Sequence, residues 1–414
     1  MGNAYDNASL IVTPNAYKAS KIYALKPTDG SGDLSFSRAG SKMRRNSAGL
    51  WETIGTNIPP LHYPVGGGCP SWLFEAEATN VIEYSETLQD CSPEDTTITP
   101  NAAISPRGTM TAASMLETNV WTNHDIFRFR NVTIGTKYTQ SIRVKPNGRT
   151  WAVFVFLGVS GGFAYQKVWF NLTGAGSVGT QQAGIDNASI ELDSEGYYFI
   201  QATATALATV NEAFIVGIAN ADNNTNYAGD ITKGLYTWNY QIETGSTATS
   251  PIITAGSSAT RLKDVPLSIA TPLLLNDFSI YMEFNLSKVN QALGYMLFGS
   301  IDGAAVSRIY IDNAGNMTFD VGTSYTSIGS SGLAINTDYK ICFTRSGTTL
   351  KYYRNGSLIS TWTVPADIFK LTSFVNAVDG GGDIYKYISL GSFKKSLAYL
   401  TALSTTEANE LTTL

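Results

Sequence analysis

Two tryptophans stand among side chains that could hold a sugar. Trp121 opens the run "WTNHD" with Asn123, His124 and Asp125 behind it, and Trp169 lies between Lys167 and Asn171 in "QKVWFNLT". A sugar ring has an apolar face that stacks on an aromatic and hydroxyls that want planar donors and acceptors. Trp121, Asn123, His124, Trp169 and Asn171 are therefore the candidate carbohydrate contacts. The bland alternative stands beside each: a sheet tryptophan commonly packs under a neighbouring loop, and a loop histidine is commonly just solvated. "NAVDGGGDIYKY" adds Asp379 and Asp383 around three glycines. Such a loop could meet a ligand or wrap Ca²⁺, which prefers carboxylate and carbonyl oxygens.

Bond-breaking chemistry finds less to work with. Glycoside hydrolysis uses two carboxylates roughly 5–9.5 Å apart. In the second half of the chain Glu283 stands alone on its strand, and Asp312, Asp320, Asp379 and Asp383 lie in or beside turns. Glu75 and Glu77 have an i, i+2 spacing but nothing else that marks catalysis. The two histidines, His62 and His124, are not accompanied by a G-x-S-x-G elbow. Cys69, Cys91 and Cys342 form no CxxC pair, so free thiols are expected in place of a disulfide framework or metal cluster, with a Cys69–Cys91 bond the alternative should their segments lie side by side. The expectation is a binding protein and not an enzyme.

The elements that position these residues read as strands. Of 414 residues only 15% are charged, 11% are aromatic and 38 are Gly, the mix of short strands joined by tight turns. The length predicts two main domains. A net charge of −5 supplies no field for nucleic acid or an anionic membrane, and no apolar stretch is long enough to span a bilayer. Met1-Gly-Asn-Ala-Tyr lacks the basic and apolar segments of a signal peptide, which favours synthesis in the cytoplasm.

Along the chain, residues 1–35 mix turn formers with single apolar anchors and predict an extended arm. "NIPPLHYPVGGGCPSW" predicts a wrapped loop. "RTWAVFVFLGV" is apolar on both faces, "QKVWFNLT" alternates, and Trp151 and Trp238 read as core. These strands predict a β-sandwich over 36–254. "DFSIYMEFNL" then sets Phe278, Ile280, Met282, Phe284 and Leu286 on one face. Hairpins are predicted at Asn313 to Gly315, at Ser346-Gly347 and at Asn355-Gly356. They give a second sandwich over 255–414. Ser404 three residues before Glu407 marks a capping box and a short C-terminal helix. Between the sandwiches runs "GSTATSPIITAGSSATRLKD", a Gly/Ser/Thr/Ala seam expected to lie extended along both, with Arg261 and Asp264 at its end as a solvated pair by default and hydrogen-bonding anchors as the alternative. "SKMRRN", residues 41–46, reads as an exposed basic run.

Two stretches resemble virion proteins of tailed bacteriophages and prophages. The first, residues 13–86, carries Arg38-Ala39, then Asn57 with Pro59 and Tyr63, then Leu73, Glu75, Thr79, Asn80, Tyr84 and Ser85. The second is the seam, through Gln241, Glu243, Gly245, Thr249, Ser250, Ile252, Thr254, Thr260, Arg261 and Asp264. Within 277–414, "DFSIYMEFNL", "SGTTLKYYRNGSLIST" and "SLAYLTALSTTEANEL" resemble a laminin-G or concanavalin-A-like jelly roll. The resemblances imply an all-β fibre, tail or head-decoration protein with an arm that docks on the particle and modules that bind host-surface glycans. They also imply other virion proteins as partners and a homotrimer, since the sequence has no coiled-coil heptads to suggest one. A capsid cement and, further off, a glycan depolymerase are the alternatives.

Overall fold

Alternating apolar and polar positions over short, Gly-punctuated runs build strands nearly everywhere, and among the described residues every strand-to-strand ladder is antiparallel. The computed structural model describes residues 2–286, 295–300, 306–311, 316–322, 324–334, 337–374 and 390–413. The fold is all-β, with a short helix at each end, Gly2–Asn7 and Thr405–Thr412. Two sandwiches account for most of the strands.

In the first sandwich one six-stranded sheet runs Ser92–Glu94, His124–Val132, Val210–Ala219, Trp151–Phe156, Gln166–Asn171, Ser177–Gln181. The facing sheet runs Thr96–Ala103, Ala112–Glu117, Gly234–Thr244, Lys137–Asn147, Tyr198–Thr205, Ile185–Leu192. Ile126, Phe154, Phe156, Phe170 and Phe214 of one sheet meet Met115, Ile142, Ile200, Leu235 and Ile242 of the other. Phe156, Phe163 and Phe214 pack edge to face at 5.1–5.6 Å.

The second sandwich differs from the expected division. Its core joins Phe278, Ile280, Met282, Phe284, Ile341, Phe343 and Phe369 to Leu10, Val12, Ile22, Leu34, Phe36, Trp72 and Phe74 from the first 75 residues. Leu10–Val12 pairs with Leu390–Tyr399, and Leu34–Ser37 pairs with Val265–Leu275. Residues 1–35, expected as an extended arm, thus contribute short strands to the C-terminal sandwich, as do Trp72 and Phe74, while Met43 and Trp51 between them pack against Trp238 of the first sandwich. The physical reason is length. Runs of two to four residues have no period to read and become strands only when a long partner presents its unpaired edge.

The Asn355-Gly356 turn closes Thr349–Arg354 on Ser357–Thr363, with φ of 47° and 80° at its two residues, the positive pair that a tight hairpin turn requires. Ser404 and Glu407 form the expected reciprocal cap, and Ala408 and Leu411 pack the C-terminal helix over Tyr281, Tyr353 and Tyr399. The turn at Asn313 to Gly315 lies outside the described residues.

The seam is ordered by buried acceptors. Glu75 takes hydrogen bonds from Ser250 N at 2.7 Å and Ser250 Oγ at 2.6 Å, and Thr249 Oγ1 donates to Glu243 at 2.7 Å. Ala259–Arg261 pairs with Ala78–Asn80. Arg261 and Asp264, expected in solvent, are 4% and 1% exposed. Asp264 meets Arg38 at 2.9 Å and Lys42 at 2.8 Å, while Glu75 meets Lys42 at 2.8 Å and Arg261 at 2.6 Å. Burial alone would raise the Glu75 carboxyl, but Arg261 and Lys42 hold it well below the usual carboxylate range. The expected basic run is likewise drawn inward: Lys42 and Arg45 are buried, and Arg143, Arg45 and Trp51 surround Asp193.

Candidate functional site: the outer face of the first sandwich

The sheet containing His124–Val132 turns one face to the core and the other outward. Strand register sets two rows across the outward face: Asp125, Gly217, Val153, Trp169, and next to it Phe127, Ile215, Val155, Lys167. Trp151–Phe156 is apolar on both faces because Val153 and Val155 form this floor while Ala152, Phe154 and Phe156 fill the core. Gly217 keeps the floor low; a Cβ there would stand 2.7 Å from Val153 Cγ1.

Over this floor opens a cavity of about 230 Å³. Asn123, His124, Asp125, Phe127, Phe129, Tyr165, Lys167 and Thr225 line it. Phe127 and Phe129 meet edge to face at 5.8 Å, and Phe129 is 41% exposed. Tyr165 is half exposed and held at φ 60°, a strained backbone for a bulky residue. The Lys167 ammonium lies 5.3 Å from its ring centre and 3.2 Å from Thr225 Oγ1.

Asp125 is the polar centre. It is 8% exposed, and its Oδ1 has no hydrogen-bond partner among the described residues. Glu94, exposed at the sheet edge, is its direct cross-strand neighbour. Burial pushes the Asp125 carboxyl up to about 7, Glu94 and Asp95 add to the rise, and Lys167 opposes it.

The sequence-predicted residues divide. Asn123 and His124 come together at the cavity. His124 is fully buried there: Asp95 O lies 2.9 Å from Nδ1, and the ring packs 5.0 Å from Tyr227, so it shapes the wall instead of waiting in a surface loop. Trp169, expected on a wet face, is 2% exposed within Val153, Val155, Ala213 and Ile215, because the outward face is itself apolar there. Trp121 is 71% exposed on the two-residue strand Trp121–Thr122 and is not part of the cavity lining. Asn171 accepts from Thr173 Oγ1 at 2.8 Å and also stands apart from it. Trp238 is buried as expected, though on the opposite sheet with Met43 and Trp51. Asp379 and Asp383, with the suggested Ca²⁺ loop, lie outside the described residues. Among the described residues no group of three or more His, Cys, Asp or Glu could hold a metal ion. Cys69, Cys91 and Cys342 are free thiols.

Sequence reasoning missed Glu94, Phe127, Phe129 and Tyr165. The alternation in "HDIFRFRNV" was the available signal, since it puts Asp125, Phe127 and Phe129 on one face. Glu75, in turn, is ion-paired with Lys42 and Arg261, while Glu77 is exposed. His62 accepts from Arg45 N at 2.9 Å and is pushed down to about 3 by burial and by Arg45.

The fold and this face define an antiparallel β-sandwich protein with an open, partly apolar, acidic cavity on one sheet. No protein-family model matches the chain, and no curated protein matches it. Among solved structures it is similar to the CBM40 of Ruminococcus gnavus IT-sialidase bound to α2,3-sialyllactose, at 17% identity, 34% of this chain, 84% of that chain and TM-score 0.27. It is also similar to native heptameric SAP-like pentraxin from Limulus polyphemus, at 16% identity, 33% of this chain, 69% of that chain and TM-score 0.24. A third is Trypanosoma rangeli sialidase, at 11% identity, 94% of this chain, 67% of that chain and TM-score 0.25. Similarity of this size carries no argument about what the present chain binds or does.

Proposed function

We propose that this protein is a non-enzymatic structural component of a phage virion, of fibre, tail or head-decoration type, that binds host-surface glycans through its first sandwich. The observation that carries the binding half is the outer-face cavity. An apolar floor, exposed Phe129 and Tyr165, and a buried carboxylate with an unpartnered oxygen supply both halves of sugar recognition. The cavity is small beside the ~300–1,000 Å³ of drug-sized clefts, which suits one sugar ring held weakly. Weak sites suffice when a homotrimer and many copies on a particle multiply them. The virion half rests on the resemblance of residues 13–86 and of the seam to phage virion proteins. Retention of the full chain on host cells, lost on Phe129→Ala together with Tyr165→Ala, supports the binding half. Equal retention of that variant removes it. Labelled antibody against the chain on purified particles tests the virion half.

A hydrolytic reading has one observation in its favour. Glu94 and Asp125 are cross-strand neighbours in contrasting environments, one exposed and one buried with a raised pKa. Incubation with host polysaccharide decides: shortened chains with wild type and intact chains with Glu94→Gln would make the protein a depolymerase.

A further inference from the structure

The cavity's own charges select among sugars. Resting on the glycan-binding reading above, we infer that the outer-face cavity takes a neutral, hydroxyl-bearing sugar ring, with a ring hydroxyl donating to the Asp125 carboxylate, and rejects sugars that carry a carboxylate.

Three observations converge. First, Asp125 Oδ1 is buried and unpartnered in a residue 8% exposed that lines the cavity. A buried acceptor without a donor is costly, and a ligand hydroxyl is the group that relieves the cost. Second, Glu94 stands directly across the strand from Asp125, and Asp95 is close enough to raise its carboxyl as well. A ligand carboxylate brought into this space would face like charge and would itself lose water. Third, Lys167, the one Lys or Arg lining the cavity among the described residues, is already engaged by Thr225 Oγ1 and the Tyr165 ring. It balances Asp125 and leaves no free guanidinium fork to grip an acid.

Proton linkage follows from the same geometry. The groups facing Asp125 are Glu94 and Asp95 from the edge strand and the turn after it, Lys167 from Gln166–Asn171, and His124 beside it; the intervening Gly217 and Val153 bring no charge. A hydroxyl donating to this carboxyl group favours its ionised form, so affinity rises with pH through about 7.

The test is a glycan array carrying neutral oligosaccharides and their sialylated or uronic-acid counterparts, probed with the full chain at pH 5.5 and pH 8. Neutral glycans should be bound, more tightly at pH 8, and Asp125→Asn should weaken them roughly ten- to hundredfold while keeping the wild-type circular dichroism spectrum. Glu94→Gln should shift the ratio of acidic to neutral glycan binding toward the acidic set. Preference for acidic glycans by the wild type, or full binding by Asp125→Asn, overturns the inference but leaves the glycan-binding reading standing. No bound spot on either set overturns both.

Discussion

A carboxylate held away from water without a donor resists losing its proton, and Asp125 is such a group. Its folded pKa of about 7 lies above the ordinary carboxylate value, so the unfolded chain ionises first as pH rises. The folded state therefore loses stability between about pH 4 and pH 7 and carries the full cost above that range, on the order of 4 kcal/mol before local relaxation. Asp125→Asn should flatten this slope and raise the urea midpoint at pH 8 more than at pH 5. An unchanged slope would mean that another group dominates the titration. At this scale the structure brings Asn123 and His124 to the cavity, leaves Trp121 exposed outside it and buries Trp169. Trp169 looked accessible because alternation tells which face a side chain takes and not whether that face is wet.

Among elements, the short strands before residue 75 matter out of proportion to their length. Leu34, Phe36, Trp72 and Phe74 are at most 2% exposed in the core of the C-terminal sandwich. Burying each contributes roughly 1.5–3 kcal/mol, and together they rival the ~5–15 kcal/mol of a whole domain's stability. A fragment of residues 255–414 alone should show no cooperative thermal transition and should aggregate through its uncovered sheet edge. Co-expression with residues 1–75 should restore a soluble complex. A well-behaved isolated fragment would show that these strands only decorate the sandwich. The long strands, the Asn355-Gly356 hairpin and the Ser404 cap were legible because period, turn chemistry and capping are local. Leu10–Val12 and Leu34–Ser37 were not, because the long strands they join lie more than two hundred residues away.

Across the whole molecule, the charges at the end of the seam join parts that are remote in sequence. Arg38, Lys42 and Glu75 come from the N-terminal region, Arg261 and Asp264 from the seam, and Asp264 also accepts from Glu75 N at 2.8 Å. Breaking a buried pair from one side strands the other charge at a cost of about 3–5 kcal/mol. Asp264→Asn should therefore split a single calorimetric transition into two, with the C-terminal sandwich melting first and the first sandwich little changed. One transition at a uniformly lower temperature would show that the network serves general stability and not coupling. The sequence by itself determined the all-β class, two sandwiches, the seam and the terminal helix, because side-chain period and turn chemistry act over a few residues. Only the tertiary structure decided which strands share a sheet, that Arg261 and Asp264 are buried, and that Asp125, Phe129, Tyr165 and Lys167 meet over one floor. Those outcomes depend on contacts between distant segments, which burial and charge pairing select and local pattern does not encode.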